Sequence, residues 1–372
     1  MADYLPLEDL MIIALQEQYP SAKAKSLESR YFTIKDKLYN ELLEWIRASE
    51  PMLSDHGPKH VDNVLNNAHK LLEAEIDGSR VYNFSGFDLY ILCLTILFHD
   101  VGNFYHREFH NQNIQKILVD MFSPLFTGEH SREKKHIISA GRAHTGKAED
   151  GTKDTLSDIA EIEHCAGDRI YLREIAAIVR LADELAEGPQ RTNSYMIATG
   201  KISKESLIFH RYAECTHIMI DALNGRINIC YEIELDVEEG QALSSEDKSA
   251  TSELLTFIHD RIFKLDQERK YCGYYCNALK QIKETQVSFN FSNKAHAIDF
   301  KIEPLVLTDL TIPGEKSKSV IEGRNDLEID TVVAELSNAL VGHSTTPIGV
   351  ESATSSVKKR KAEWLSFLWR QG

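Results

Sequence analysis

The chain has 372 residues, 42% of them hydrophobic and 27% charged, a balance that suits two or three domains with large cores and sets aside wholesale disorder. Its net charge of −15 argues against a nucleic-acid coat protein or a polybasic membrane binder. Six scattered cysteines without a CxxC pair, no signal pattern at the start, and a longest apolar run (residues 89–98) about half the length of a membrane helix make a cytoplasmic, reducing setting without a membrane span the expectation.

Residues 1–50 read as N-terminal helices packing on the core, with Tyr39, Leu42, Leu43 and Ile46 at helical spacing. From 51 to 192 the pattern stays helical, broken by polar loops near 77–84, 127–132 and 146–156, and an all-helical domain is expected. The pattern then changes. Ile227, Ile229, Tyr231, Ile233 and Leu235 alternate with polar partners as in a half-buried strand. Residues 217–223 join it through Asn224-Gly225, a pair suited to a two-residue hairpin turn. Residues 207–212 read as a third strand, 248–283 as a long helix, and 287–291 and 298–307 as further strands. The expected fold is therefore mainly α: the helical domain, then a small α+β domain over 193–310 with an antiparallel hairpin or meander and a long helix. Residues 311–372 read as a flexible linker and a terminal amphipathic helix, four basic residues followed by Trp364, Leu365, Phe367, Leu368 and Trp369. That helix either docks on its own domain or joins a second copy or another partner through residues 358–372.

Ten of the fifteen histidines fall between His56 and His164, where an even spread would place about four. Metal sites cluster histidines in this way. In the segment around His60, Pro58 fits the first position of a helix, which puts His60 in the first turn beside an apolar face formed by Val61, Val64 and Leu65. A second helix starts at the capping pair Ser85 and Asp88, runs through an almost wholly apolar stretch and delivers His99 and Asp100 together at its carboxyl end. Two buried polar side chains there need partners. A divalent cation serves both; so does an ion pair from Asp100 to Arg107 or Arg142. In the third segment Asp183 continues the Ile175/Val179 stripe, which places a carboxylate on the buried side, with a surface ion pair to Arg180 as the alternative, while Glu184 and Glu187 read as the solvent face.

His60, the "LFHDVG" context of His99 and Asp100, and the "RLADEL" context of Asp183, in that order, resemble the HD-domain metal-dependent phosphohydrolase superfamily over roughly residues 50–190. The resemblance implies an all-α core in which His60, His99, Asp100 and Asp183 hold a divalent metal. By the same resemblance His110 and His144 are candidate ligands for a second ion, with Asp100 bridging the two. The chain departs from the family pattern in two places. Asn103 stands where a phosphate-facing lysine is frequent, so Arg107, Arg142, Lys147 or Arg191 would supply the substrate-binding charge. The Gly-Tyr-Pro signature of the cyclic-di-GMP branch is absent after His144, which counts against that substrate.

The expected activity is hydrolysis of a phosphoester of a nucleotide or related small phosphorylated molecule by metal-activated water, with Asp100, His144 and Lys147 as the catalytic candidates. Mixed nitrogen and oxygen ligation suits one or two ions of Mn, Fe, Ni, Co or Zn better than Mg alone. Tyr105 or Phe104 would stack a base, and His56 would orient His60 or bind substrate. The alternatives are a non-catalytic nucleotide-sensing module and, last, a single-strand nuclease, for which no long basic stretch is present outside the tail. Nucleic acid is thus an unexpected partner.

Overall fold

The computed structural model describes residues 4–49, 55–76, 79–105, 107, 109–238, 240–294, 296–309 and 324–342. The terminal aromatic segment 358–372 lies outside the described residues. The first helices are α1 (Pro6–Gln18), α2 (Ser21–Leu38) and α3 (Glu44–Ser49), the last two joined by a π-helical turn at Tyr39–Leu43. They lead to α4 (Pro58–Leu71), α5 (Gly86–Phe98), α6 (His110–Phe122), α7 (Glu133–Arg142) and α8 (Leu172–Glu184). Two short hairpins, β1–β2 (Glu75–Ile76 and Ser79–Arg80) and β3–β4 (Glu163–Cys165 and Asp168–Ile170), interrupt the helices where continuous helical pattern and loops were expected.

Helix α5 is the hub. Every residue from Gly86 to Phe98 is buried, and α1, α2, α4, α7 and α8 all pack against it. Its start is fixed by a reciprocal cap, since Ser85 Oγ accepts from the Asp88 amide and the Asp88 carboxylate accepts from Ser85. The stretch Gly86–Phe104 is long and apolar enough to cross a membrane by length and composition, but the fold buries 94% of it and uses it as a core helix.

After α9 (Ser194–Ala198) comes α10 (Lys204–Cys215), which contains the residues expected as a third strand. The segment is helical instead: Ser203 Oγ accepts from the Ser206 amide at its start, and Ser206, His210 and Ala213 are buried at helical spacing. Strands β5 (Thr216–Asp221) and β6 (Arg226–Leu235) form the expected antiparallel hairpin. Its connection is longer than two residues. Asp221 accepts from the Asn224 amide to close a 3₁₀ turn at Ala222–Asn224, and Gly225 follows at φ +67°, a left-handed conformation that suits glycine.

The long α11 (Ser245–Tyr275) returns the chain so that β7 (Glu284–Asn293) pairs parallel with β6. Strands β8 (His296–Ala297) and β9 (Leu305–Thr308) pair antiparallel with β7, and the residues between them, expected to continue one strand, are irregular. Helix α11 stops short of 283 because the Glu174 carboxylate of α8 accepts from the Asn277 backbone and side-chain amides and turns the chain away. It seats on the sheet through Arg269, which donates to Asp266, Thr285 and Asp309. Helix α12 (Ile329–Gly342), within the span read as linker, packs on α11. The mainly α reading with an appended α+β unit therefore describes the molecule.

Candidate metal centre

His60 enters from the first turn of α4, where Pro58 opens the helix, and is 1% exposed. His99 and Asp100 leave the end of α5, and Asp183 sits in the last turn of α8, which packs on both α4 and α5. The four side chains converge. His60 Nε2 lies 3.1 Å from Asp183 Oδ1 and 3.5 Å from Asp100 Oδ2, and His99 Nε2 lies 3.5 Å from each of the same oxygens.

A second group shares Asp100. His110 Nε2 lies 3.3 Å and His144 Nε2 3.6 Å from Asp100 Oδ1, and the two imidazole nitrogens are 3.1 Å apart. One carboxylate thus presents one oxygen to each group of histidines. Gly102 makes the second group possible, because a Cβ there would fall 1.8 Å from the His110 carbonyl oxygen at the start of α6.

The histidines are oriented for coordination. Nδ1 of His99 donates to the Ile96 carbonyl at 2.7 Å, that of His110 to Arg107 at 2.9 Å and that of His144 to Gly141 at 2.5 Å. A carbonyl only accepts, so the proton is on Nδ1 and the lone pair of Nε2 faces the carboxylates. The Nε2 atoms of His60 and His99 are buried and satisfy no hydrogen bond despite the nearby oxygens. Buried polar atoms are rarely left this way, and a divalent cation between nitrogen and oxygen donors would satisfy them. The donor sets His60, His99, Asp100, Asp183 and Asp100, His110, His144 fit metal ions on that test.

Electrostatics agree with an anionic cradle. Burial alone would raise the Asp100 carboxyl, but positive charge facing it, from the His99, His144, His56 and His60 imidazoles when doubly protonated, holds it well below the usual range, and a cation among them would act in the same direction. Asp183 is likewise held down by His60 and His99 against its burial. His56 sits 2.9 Å from Asp100 Oδ2 and beside Arg191, and burial followed by the Arg191 charge lowers it to about 4.

The centre opens into a cavity of about 520 Å³. Arg107 and Lys147 line it, and Lys153, which the sequence did not single out, joins them. Arg191 also lines it but is tied to Glu187, His56 and the Asp55 carbonyl. Arg142 does not belong to this wall. It turns outward to Gln112 and Gln115, because its position at the end of α7 faces α6. Glu184 and Glu187, read as solvent-facing, line the cavity and pair with Arg261 and Lys264, since α11 docks against α8 there. Phe104 and Tyr105 are not among the lining residues; the aromatic side chains in the wall are Phe209 and Tyr212 of α10 and Phe257 of α11.

The family model for HD-CE matches residues 50–264, more than half of the chain. The chain belongs to the HD-CE family. The match takes in the two donor groups, α10, the β5–β6 hairpin and α11 as far as Lys264, so the aromatic part of the cavity wall lies within it. No curated protein matches the chain.

Proposed function

We propose that the protein is a metal-dependent phosphohydrolase that cleaves a phosphoester of a nucleotide or related small phosphorylated molecule. The observation that carries this reading is the division of Asp100 between two donor groups, Oδ2 toward His60 and His99 and Oδ1 toward His110 and His144. His60, His99, Asp100 and Asp183 would hold one divalent ion, and Asp100, His110 and His144 a second. Mn, Fe, Ni, Co or Zn suits these donors better than Mg alone. When bound, such ions supply Lewis-acid polarisation of a phosphoryl oxygen and acidify water.

The chain's own groups complete the task. Arg107, Lys147 and Lys153 line the cavity without an ion-pair partner among the described residues, and they would clamp the phosphate. Backbone carbonyls of Ile96, Arg107 and Gly141 hold three imidazoles in the lone-pair-inward orientation. Glu187 and Arg191 fix His56 beside Asp100, so its role is to orient the carboxylate.

The test is metal analysis of the purified chain, followed by turnover of a nucleotide panel and a generic phosphodiester with and without added Mn²⁺. Metal-dependent turnover that Asp100→Ala abolishes supports the reading. Turnover that survives Asp100→Ala contradicts it, and metal and nucleotide binding with no hydrolysis would favour a sensor.

A further inference from the structure

The part of the cavity wall built by α10 and α11 is not needed to hold ions, yet it concentrates aromatic surface. Phe209 lines the cavity and is 48% exposed, so its ring is accessible to a ligand there. It is held edge-on to Phe257 with centroids 5.5 Å apart at 90°, and Phe257 is held in turn by buried Tyr212 at 5.2 Å and 73°. Tyr212 packs on Tyr231 of β6, so the sheet fixes the ring ladder from behind.

The charges in the cavity fall into two sets. Arg180, Arg191, Arg261 and Lys264 are ion-paired with Glu268, Glu187 and Glu184, the last shared by Arg261 and Lys264. Arg107, Lys147 and Lys153 have no such partner among the described residues, while the Asp100 and Asp183 carboxylates of the same wall belong to the donor groups, so these three cations are left to meet a ligand. A cavity of about 520 Å³ is within the range that small-molecule sites occupy.

We infer that Phe209 and Phe257 form a ring-binding subsite that selects phosphorylated compounds carrying a planar aromatic base, with Arg107, Lys147 and Lys153 taking more than one phosphate. The substrate class is a nucleoside polyphosphate. This inference rests on the proposed function in placing the ligand's phosphates beside the metal centre. The unit that follows the helical bundle thereby acts as the specificity element, and the bundle supplies the donors.

The experiment measures calorimetric binding of adenosine, guanosine and cytidine triphosphates, and of inorganic tripolyphosphate, to the full chain in Mn²⁺, with analysis of the products in the cell. Stacking on one aromatic side chain predicts that the best nucleotide binds at least about tenfold more tightly than tripolyphosphate. Phe209→Ala should remove that advantage and leave tripolyphosphate binding unchanged, Phe209→Trp should retain it, and Lys147→Ala with Lys153→Ala should weaken both ligands. Equal binding of ring-bearing and ring-free ligands by the wild type would overturn the inference. So would a Phe209→Ala variant that weakens tripolyphosphate as much as nucleotide. Turnover by Asp100→Asn is read separately, so the hydrolytic reading and the ring subsite can each fail alone.

Discussion

Replacing Asp100 by Asn keeps the side chain's size and removes the charge that both donor groups share. Its oxygens lie 3.3–3.6 Å from the Nε2 atoms of His60, His99, His110 and His144. At an effective dielectric of about 20, a unit charge pair about 4 Å apart is worth about 4 kcal/mol. With roughly 1.4 kcal/mol per decade, and two charges on each ion, each should bind at least about a thousandfold more weakly. Asp183→Asn touches the first group alone, and the Asp183 side chain is 24% exposed and better screened, so the loss there should be smaller and the second ion should stay. His110→Ala and His144→Ala should weaken the second ion and spare the first. Metal content after dialysis, together with competition against a chromophoric chelator, reads all four variants. An Asp100→Asn protein that loses only one ion, or no more than Asp183→Asn loses, would refute the shared-carboxylate reasoning.

Gly102→Ala should displace the start of α6 and lower the content of the second ion while far-ultraviolet circular dichroism stays native, because the new methyl would overlap the His110 carbonyl. Arg269→Met should cost about 3 kcal/mol in urea unfolding, since it strips the buried Asp266 of its guanidinium partner and leaves only Lys270 and Thr285. Glu187 is half-buried beside the cavity, and desolvation raises its carboxyl, but Arg191 and Arg261 outweigh this and hold it below the ordinary value. A depressed folded pKa stabilises above the unfolded value of about 4.3, and that stabilisation is lost as pH falls through the folded value. The melting temperature of Glu187→Gln should therefore lie below wild type at neutral pH, and the gap should close in acid; a gap independent of pH would contradict the assignment.

The buried placement of His60, His99, Asp100 and Asp183 was legible because each sits on a helix whose local pattern reveals its buried face, whereas their role as ligands, and His110 and His144 altogether, came from the family resemblance. Pro58 placed His60 in a first turn, the Ser85–Asp88 cap and the apolar run placed His99 and Asp100 at a buried helix end, and the Ile175/Val179 stripe carried Asp183 inward. The cavity wall was not legible for a converse reason. Lys153, Phe209, Phe257 and Arg261 come together only when α11 docks against α8 and α10 against α11, and no spacing within one segment encodes that docking. The same packing turned Glu184 and Glu187 from an apparent solvent face into cavity residues. Residues 207–212, read as a strand, are helical, and the feature that marks the helix is the Ser203 cap upstream.

Electron paramagnetic resonance of the Mn²⁺-titrated chain tests the centre most directly. Two ions per chain with a spin-coupled signal, which Asp100→Asn converts to an uncoupled one or abolishes, is the outcome expected of two donor groups joined through one carboxylate. A single isolated Mn²⁺ signal at saturation, or the same coupled signal in Asp100→Asn, would contradict it.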